Sequence, residues 1–417
     1  MIRAARFLLT RLFFLGMGLP ISRYRKEVEQ LWRLNEEGRA DSLDRFLARN
    51  RPLNSAGIEV GSLDALKSSP SLSKKQLRSQ PRLRQTKSGK PGFGRHTAGT
   101  TGEPTEVTLD RKELGRMLAV RDYCFRHYGF KLGQREARLW GRPESGVKSL
   151  LKNFVLNRRV FHPVGPQAQA EVAHLLSWKP DYVYGYASLL LETARIIDGS
   201  EIEFDPPKCV VCTAESILPT QKAYISRVFN APVAEEYGST EFDVIAFECT
   251  KGHRHLVNPW LVVEKGKFGD LISDVSRFSQ NLIRYQLGDS FTIHRTECSS
   301  LGSTEYIGQL QGRTLDRFFY LSESEKIHAS VFSKAFDQYF KETIDVFTFS
   351  LQQDAYTQLE VFLDRAPKSG IANLKIFLEQ EISNFAGVQV GVRVSVVARG
   401  SRSEKRNYFV QNMKASE

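Results

Sequence analysis

Cysteine is scarce in this sequence of 417 residues, and it lacks long apolar runs. The five cysteines are few and odd in number, which argues against a disulfide framework and favours a reducing, cytoplasmic compartment. Near the start, Arg11 interrupts the apolar residues of MIRAARFLLTRLFFLGMGLP, and no A-x-A-like cleavage site follows. The uninterrupted stretch is far shorter than the roughly 20 residues that span a bilayer. The sequence therefore predicts neither a secretory signal nor a transmembrane helix.

Residues 1–20 nevertheless have an amphipathic pattern. On a helical wheel Arg3, Arg6, Thr10 and Arg11 fall within an arc of about 140°, which leaves a broad apolar face. That face either packs on the body of the protein or lies on a membrane surface. Packing is the slightly preferred interpretation, and a peripheral membrane contact through residues 1–20 stays open.

Acidic residues are absent from positions 67–95, where nine lysines and arginines occur. Residues 1–95 hold 20 basic and 8 acidic residues, so the net charge of +12 belongs to the N-terminal quarter and the remainder is balanced. Such a stretch suits nucleic acid or an anionic lipid surface. A solvated connecting segment is the simpler interpretation, and nucleic acid is not favoured as a partner.

The order of helical and β-rich segments predicts an α/β fold. Residues 22–66 have apolar positions at helical spacing, and between 137 and 320 short β-rich runs alternate with helical ones. After GRTLD (312–316) the order becomes helix, strand, strand, helix, strand, which predicts an α+β unit of about 100 residues. We expect a basic helical region at 1–95, a large-domain core of layered sheets and helices at 96–313, and a small domain at 314–417.

The lysine of the nucleotide-binding P-loop pattern is missing from HTAGTTGEPTEV (96–107). Glycines without a Cβ let backbone N–H groups approach an anion, and threonine hydroxyls add further donors. Taken alone, a loop of this composition without a ligand is equally common. Its interpretation therefore depends on segments farther along the chain.

Five segments, in order, resemble the motifs of the adenylate-forming superfamily, which contains acyl- and aryl-CoA ligases. They are TAGTTGEPT (97–105), TAES (213–216), EYGSTE (236–241), NLIRYQLGD (281–289) and GRTLD (312–316). Thr105, where many members have lysine, is similar to the phenylacetate–CoA ligase-like branch, as are YVYGYASLL and FECTKGHRHL. Within that branch the match is best to proteins of capsular polysaccharide biosynthesis. The resemblance implies a large N-terminal adenylate-forming domain and a small, mobile C-terminal α+β domain.

The implied activity is ATP-dependent conversion of a carboxylic acid to an acyl-adenylate, with Mg²⁺ bound beside ATP, followed by transfer to CoA or another nucleophile. A CoA-independent, amide-forming ligase of surface polysaccharide biosynthesis, with an amine or sugar acceptor, stays open. So does a non-catalytic protein on the same fold that binds a membrane or a polyanion. The acid pocket is expected near Tyr184–Ser188, whose aromatic and small residues weakly favour an apolar acid.

The same resemblance assigns roles to individual residues. Glu241 would ligate Mg²⁺ and Thr240 would contact the α-phosphate. Tyr237 would stack on or flank the adenine, Asp289 would accept from the ribose hydroxyls, and Arg313 would reach the ribose or phosphates. The implied nucleotide-binding residues are Thr97, Gly99, Thr100, Thr101, Gly102, Ala214, Glu215, Ser216, Tyr237, Gly238, Ser239, Asp289 and Arg313, and the implied catalytic residues are Lys405, Thr240 and Glu241.

A lysine near the chain's end would complete this machinery. In the family it follows a glycine and stabilises charge that develops on the phosphate. Here GSRSEKRNYF (400–409) offers Lys405, with Glu404 in place of the glycine. Lys405 is the best match, and an exposed tail lysine is the alternative interpretation.

Relatives in this branch can carry a structural zinc held by cysteine and histidine, with a final C-x-C pair. Cys249, His253, His255 and Cys298 lie in the corresponding region, but ECSS (297–300) has serine as the second residue of that pair. At most three soft ligands are then expected, whereas structural zinc takes four. The sequence therefore argues against a bound zinc.

Overall fold

Two compact units make up the chain in the computed structural model, which describes residues 2–80, 92–96, 105–140, 146–266, 269–313, 318–397 and 409–412. The first unit comprises Met1–Gly133 and Glu235–Thr314, and the second comprises Gln134–Ala234 and Leu315–Glu417. One boundary thus falls between residues 314 and 315, and the C-terminal segment is grouped with residues 134–234. The expectation that residues 314–417 form a small mobile domain stays a prediction.

The described residues form twelve helices and twenty strands. In chain order the helices are α1 (Ile2–Gly16), α2 (Ile21–Arg33), α3 (Glu36–Asn50), α4 (Leu63–Ser68), α5 (Lys74–Ser79), α6 (Arg111–His127), α7 (Val147–Val155), α8 (Ala168–Ser177), α9 (Ala187–Asp198), α10 (Pro219–Phe229), α11 (Ser330–Thr343) and α12 (Ile371–Ala386). The strands are β1 (Phe93–His96), β2 (Glu106–Leu109), β3 (Glu136–Leu139), β4 (Arg158–Phe161), β5 (Tyr182–Tyr186), β6 (Val210–Thr213), β7 (Val233–Ser239), β8 (Asp243–Glu248), β9 (Arg254–Leu256), β10 (Leu261–Glu264), β11 (Leu271–Asp274), β12 (Tyr285–Gln286), β13 (Asp289–Arg295), β14 (Glu305–Arg313), β15 (Phe318–Tyr320), β16 (Lys326–His328), β17 (Phe349–Ala355), β18 (Gln358–Leu363), β19 (Gly391–Val396) and β20 (Phe409–Gln411).

The first unit combines N-terminal helices with antiparallel strands. Strand β7, most of which lies in this unit, pairs with β8, followed by β9, β14 and β13, all antiparallel. Strands β10, β11 and β12 form a second sheet, and β1 pairs with β2. Helix α6 begins with a capping box, in which Asp110 and Glu113 each accept the other's backbone N–H. Apolar side chains of these strands, among them Ile245, Ile272 and Phe291, form a buried core.

The second unit contains the parallel strands. Strands β4, β3, β5 and β6 pair in parallel in that order, and helices lie between them in sequence, as parallel pairing requires. A mixed sheet follows in the order β19, β18, β17 and β20. The Thr220 hydroxyl donates to Asp337 Oδ1 (2.9 Å) and Gln221 Nε2 donates to the Phe347 carbonyl (2.9 Å), so this sheet's helix α11 shares a core with α10. The predicted α/β class is confirmed.

Helix α1 is oriented with its polar side inward. Thr10 and Phe14 are buried, while Arg11 donates to Ser22 Oγ (2.6 Å) and lies 3.8 Å from the buried carboxylate of Asp122. Large apolar side chains instead face outward, with exposed fractions between 39% and 58%: Leu8, Leu9, Leu12, Phe13 and Leu15. The interpretation that the apolar face packs on the protein is therefore wrong, because the ion pair with Asp122 holds the arginine side inward.

Within the described ranges, no helix by itself has the length and apolar character needed to cross a membrane. The segments Arg3–Gly16 and Ile21–Arg33 reach that length and composition only together, and they are bent by 84° relative to each other.

Candidate functional site

The segment expected to bind phosphate is flanked by a hairpin of the first unit. Strands β1 and β2 pair from Phe93 with Leu109 to His96 with Glu106. The predicted loop residues Thr97, Gly99, Thr100, Thr101 and Gly102 lie outside the described residues, so their role stays a prediction. The neighbouring Thr105 is fully buried, and its hydroxyl accepts a hydrogen bond from Arg78 Nε (2.9 Å).

The EYGSTE segment forms a tight turn between β7 and β8. The ladder is irregular between Tyr237 and Gly238, and a Cβ on Gly238 would lie 2.1 Å from the Asp243 carbonyl oxygen. Only glycine therefore permits this close approach of the two strands. Ser239 Oγ accepts from the Phe242 N–H (3.2 Å), and Asp243 has a φ of +59°. This local geometry presents Thr240 and Glu241 at the tip of the turn.

Glu241 is a buried carboxylate, with only 2% of its surface exposed. The hydroxyl of Tyr285 donates to Glu241 Oε1 (3.0 Å), and Lys74 Nζ lies 3.8 Å from the same atom. Burial and the adjacent carboxylate raise the pKa of Tyr285, so this phenol stays a proton donor. The two oxygens of a carboxylate have about four acceptor sites. Glu241 can therefore ligate a hard cation while it accepts the hydrogen bond from Tyr285.

Predicted site residues on three strands of the first unit, β7, β13 and β14, lie close together. The hydroxyl of Tyr237 donates to Asp289 Oδ2 (3.0 Å), and Asp289 stands opposite Arg313 in the β13–β14 ladder. Burial, reinforced by the charge of Asp289, raises the pKa of Tyr237. The ring of Tyr237 also packs edge-on against Phe291, at 5.5 Å between centroids. The segments EYGSTE, RYQLGD and GRTLD, which are separate in the sequence, thus lie close together at Tyr237, Asp289 and the backbone of Arg313.

Arg277 is a residue of this region that the sequence reasoning missed. Its guanidinium is fully buried and donates to the carbonyls of Glu241 and Thr108, the latter at 3.0 Å. Burial lowers its pKa. Arg277 therefore ties the turn that carries Glu241 to strand β2, which follows the predicted phosphate loop. The only sequence signal for it is an arginine within the mostly uncharged run VSRFSQNLI.

Arg121 on helix α6 is a second missed residue. Its guanidinium donates to both carboxylate oxygens of Glu236 (3.0 and 3.3 Å) and to Asp243 Oδ1 (2.8 Å). Glu236 precedes the YGSTE turn and Asp243 follows it, so one cation holds both ends of the turn. Arg95 Nη1 lies 3.7 Å from Asp243 as well. A charged residue inside an otherwise apolar helix face was the available signal, because such a charge is buried only when paired.

The segment expected to border the adenine and the expected acid pocket lie in the second unit. Ala214, Glu215 and Ser216 follow directly after β6, with Ala214 in the left-handed region at a φ of +65°. Glu215 Oε2 accepts from the Ser188 N–H (2.9 Å), which joins the carboxyl ends of β5 and β6. Carboxyl ends of adjacent parallel strands are where open α/β sheets bind ligands.

Aromatic residues surround the expected acid pocket. The Tyr184 ring stacks with Trp140 at 6.1 Å between centroids, and the Arg138 guanidinium lies 4.7 Å from the Tyr184 ring centre. Trp140 also lies 4.2 Å from the Tyr186 ring, and burial raises the pKa of Tyr186 to about 12. The sequence reasoning missed Arg138, which adds a cation to a region expected to have no distinctive charge.

Cys249, His253, His255 and Cys298 meet in the first unit, and this corrects the expectation of at most three soft ligands. One potential ligand atom from each residue lies within 4.8 Å of all the others, and the two sulfurs are 3.9 Å apart. Burial opposes ionisation of Cys298, but Ser300, His253 and His255 outweigh it and lower the pKa of the thiol to about 5. The donor set fits a divalent metal, since thiolate and imidazole are the ligands of structural zinc.

Lys405 lies outside the described residues, and its assignment as the catalytic lysine stays a prediction.

No family model matches the sequence. Among curated proteins, Protein CapK of Staphylococcus aureus is 24% identical over 260 residues, which is 58% of this chain and 57% of CapK. The chain therefore spans less than two thirds of the length of the curated relative it matches.

Solved structures agree on the fold. The structure of 2-hydroxyisobutyryl-CoA ligase in the postadenylation state with R3-HIB-AMP has a TM-score of 0.65 at 16% identity, covering 94% of this chain and 90% of that one. Anthranilate CoA ligase AuaEII in complex with anthranoyl-AMP has a TM-score of 0.50 at 11% identity, covering 75% of this chain and 65% of that one. The chain therefore has the fold of the adenylate-forming superfamily, as its motifs predict, and is similar in sequence to CapK.

Proposed function

We propose that this protein converts a carboxylic acid and ATP to an acyl-adenylate and pyrophosphate, and then transfers the acyl group to a nucleophile. The observation that carries the proposal is the convergence in the first unit of residues from three separate motifs. Tyr237 is hydrogen-bonded to Asp289, Asp289 is opposite Arg313, and Glu241 lies four residues beyond Tyr237. A fold that did not use a nucleotide would have no need to bring these particular side chains together.

The donors present have the chemistry that ATP and Mg²⁺ require. Mg²⁺ is usually held by one or two carboxylates together with substrate phosphates, and Glu241 is the buried carboxylate of this region. Asp289 would accept from ribose hydroxyls, and the fixed phenol of Tyr237 would flank the base. Thr240 would contact the α-phosphate, with residues 97–102 and Lys405 completing phosphate binding. When bound, the metal would neutralise charge on the phosphate oxygens.

The acyl acceptor is CoA or an amine or sugar. An open conformation of 2-hydroxyisobutyryl-CoA ligase has been solved in complex with 2-HIB-AMP and CoA, which supports the first acceptor. Similarity to CapK and to the capsule-associated branch supports the second. The aromatic wall of Trp140, Tyr184 and Tyr186 supports an apolar or aromatic acid.

Two parts of the proposal, formation of the acyl-adenylate and the identity of the acyl acceptor, can be tested together. The experiment measures pyrophosphate release from ATP with a panel of aliphatic and aromatic acids, with and without CoA. Acid-dependent release that increases with CoA, together with a thioester product, would support a CoA ligase. Release that is indifferent to CoA but increases with amino sugars would support the amide-forming alternative. Failure of every acid to support ATP–pyrophosphate exchange would contradict the enzyme and favour a non-catalytic protein on this fold.

A peripheral membrane contact is proposed in addition, and the exposed face of α1 supports it. Leu8, Leu9, Leu12, Phe13 and Leu15 face outward there. Helix α1 has no acidic residue, and of its three arginines Arg3 is exposed, whereas Arg11 is turned inward towards Asp122. An apolar helix face with an adjacent cation is the pattern of helices that lie in the interface of anionic membranes.

Replacing Leu9 and Leu12 together by serine is expected to weaken binding to anionic vesicles at least tenfold, because each buried leucine contributes about 1.5–3 kcal/mol. Co-sedimentation with phosphatidylserine-containing and phosphatidylcholine vesicles measures the effect, and added salt should weaken the anionic binding. The matched control replaces Leu150 and Leu151 of α7, which are 68% and 63% exposed, more than Leu9 and Leu12 at 46% and 55%. Equal binding by the α1 variant and the wild type would exclude this surface.

A further inference from the structure

A cavity of about 90 Å³ in the first unit is lined by residues of the N-terminal helices and of the antiparallel strands. Helix α2 contributes Trp32 and helix α3 contributes Arg39, while Asn258 and Glu305 supply the other polar side chains. The rest of the wall is apolar. The described residues that line this cavity include none of those proposed to bind ATP, Mg²⁺ or the acid, so the cavity has no role in the proposed adenylation.

The aliphatic side chains of the cavity wall lie at the edge of the first unit's core. Leu256, Leu261, Val263 and Ile293 pack against that core, yet each of them is only partly buried. Ile245, which also lines the cavity, is 1% exposed. These side chains come from β8, β9, β10 and β13, so strand pairing fixes the wall. An apolar group that covers it would be favoured, because contact removes the aliphatic surface from water.

The Trp32 side chain is fixed in the cavity wall by contacts with two other segments. Its indole N–H donates to the Val257 carbonyl (3.0 Å). Gly302 lies against the side chain with a φ of +85°, and a Cβ there would lie 2.4 Å from Trp32 Cγ. Only glycine therefore permits this contact. The indole thus has its position without a ligand, as is usual for small-molecule sites.

Arg39 supplies a cation to the cavity wall. Its guanidinium carbon lies 4.7 Å from the centre of the Trp32 ring, within the range of a cation–π interaction. Among the described residues, this guanidinium has no hydrogen bond and no ion pair. Burial lowers its pKa, and the charges of Glu305 and Glu36 oppose that effect. Both carboxylates pair with Arg295 instead, at 3.5 and 2.9 Å. The N–H donors of Arg39 are therefore available to a ligand.

Asn258 adds a second donor to the cavity wall. The residue is 7% exposed, and its Oδ1 accepts from the Trp260 N–H (3.2 Å). Within the part of the chain that the structure describes, Nδ2 of this amide has no hydrogen-bond partner. A buried amide N–H group that stays unpaired is unfavourable, so the site favours a ligand with an acceptor atom. Asn258 and Arg39 thus both present donors, whereas the carboxylate of Glu305 is already paired with Arg295.

We propose that this cavity binds a small carboxylate with an apolar body. The carboxylate accepts hydrogen bonds from Arg39 and Asn258, and the body lies against the aliphatic wall. An engineered cavity of about 150 Å³ holds benzene, so 90 Å³ suits a body of about three or four carbon atoms. The acid pocket expected near Tyr184–Ser188 lies in the second unit, so the cavity is a second carboxylate site of the chain.

Fluorine NMR of the full-length chain labelled with 5-fluorotryptophan tests the proposal. No ATP is added, so the result is independent of the proposed adenylation. The chain has four tryptophans, and the variants Trp32→Phe and Trp140→Phe assign the resonances of the cavity and of the expected acid pocket. Isovalerate should shift the Trp32 resonance with a Kd of about 1 mM or lower. Isovaleramide, its neutral isostere, should bind at least about tenfold more weakly, because charge-assisted hydrogen bonds are stronger.

Variants of the cavity wall separate recognition of the carboxylate from simple filling of the cavity. In Arg39→Met, isovalerate should bind at least about tenfold more weakly and no better than isovaleramide, because the preference for the charged ligand comes from Arg39. Arg45→Met removes an exposed arginine of the same helix and should leave the affinity for isovalerate unchanged. Val263→Phe should abolish binding of both ligands, because the larger side chain occupies the cavity.

Three outcomes would overturn the proposal. These are a Trp32 resonance that does not move at about 20 mM isovalerate, equal affinity of the wild type for isovalerate and isovaleramide, and unchanged isovalerate affinity in Arg39→Met. A shift confined to the Trp140 resonance would have the same meaning, since it would place the carboxylate in the acid pocket alone. If Val263→Phe does not fold, as judged by circular dichroism, Arg39→Met and the two ligands still decide the result.

Discussion

Glu241→Gln is expected to lower acid-dependent ATP–pyrophosphate exchange by at least about 1,000-fold while the protein stays folded. The amide keeps the size of the side chain and can still accept from the Tyr285 hydroxyl, which lies 3.0 Å from Glu241 Oε1. It loses the negative charge that a magnesium ion requires of its ligand. The carboxylate is 2% exposed, so water is poorly placed to substitute for it.

Exchange of labelled pyrophosphate into ATP, measured with the best acid of the panel, quantifies this loss. Asp41→Asn is the matched control, because it removes a carboxylate that is exposed on α3 of the same unit. Circular dichroism shows whether each variant is folded. Glu241 would be excluded as the metal ligand if Glu241→Gln retained more than about a tenth of the wild-type exchange rate. Such a rate corresponds to an increase of less than about 1.4 kcal/mol in the activation free energy.

Arg121→Met is expected to lower the free energy of unfolding by about 3–5 kcal/mol. Methionine keeps most of the apolar stem but leaves Glu236 without the cation that contacts both its oxygens at 3.0 and 3.3 Å. Both Arg121 and Glu236 are less than a tenth exposed. A charge at this depth is poorly solvated, and removing one partner of a buried ion pair is therefore strongly destabilising.

Urea unfolding followed by fluorescence measures the change in free energy. Arg23→Met is the control, because Arg23 is 78% exposed in its side chain and pairs with Glu27 at 3.9 Å on one helix. Its cost should stay below about 0.5 kcal/mol. Arg121→Met with Glu236→Gln should recover part of the loss, since the amide carries no charge that has to be buried. A cost below about 1 kcal/mol for Arg121→Met would show that the pair contributes little.

Local patterns predicted the secondary structure well. Apolar spacing indicated the helices of residues 22–66, and the alternation of β-rich and helical runs indicated the parallel strands β3 to β6. The C-terminal order of helix, strand, strand, helix, strand corresponds to α11, β17, β18, α12 and β19. These features depend on residues close in sequence, which is why periodicity reveals them.

Contacts between distant residues could not be predicted in this way. Arg121 and Glu236 are 115 positions apart, and Arg277 and Thr108 are 169 apart. The residues adjacent in sequence to Arg121 and Arg277 do not indicate which distant residue each arginine contacts. The same limit explains why the sequence predicted at most three metal ligands. That prediction considered only the missing cysteine of the C-x-C pair, a local pattern. His253 comes close to Cys298 only because β9 pairs with β14 and β14 pairs with β13.

By itself, the sequence determined the α/β class, the order of the motifs and the residues proposed to handle ATP. It also determined that residues 1–20 have one polar and one apolar face. Only the tertiary structure decided that the polar face of α1 turns inward, because the buried Asp122 that attracts Arg11 is 111 residues away. It likewise decided that four potential metal ligands, not three, lie close together, because strand register sets which distant side chains meet.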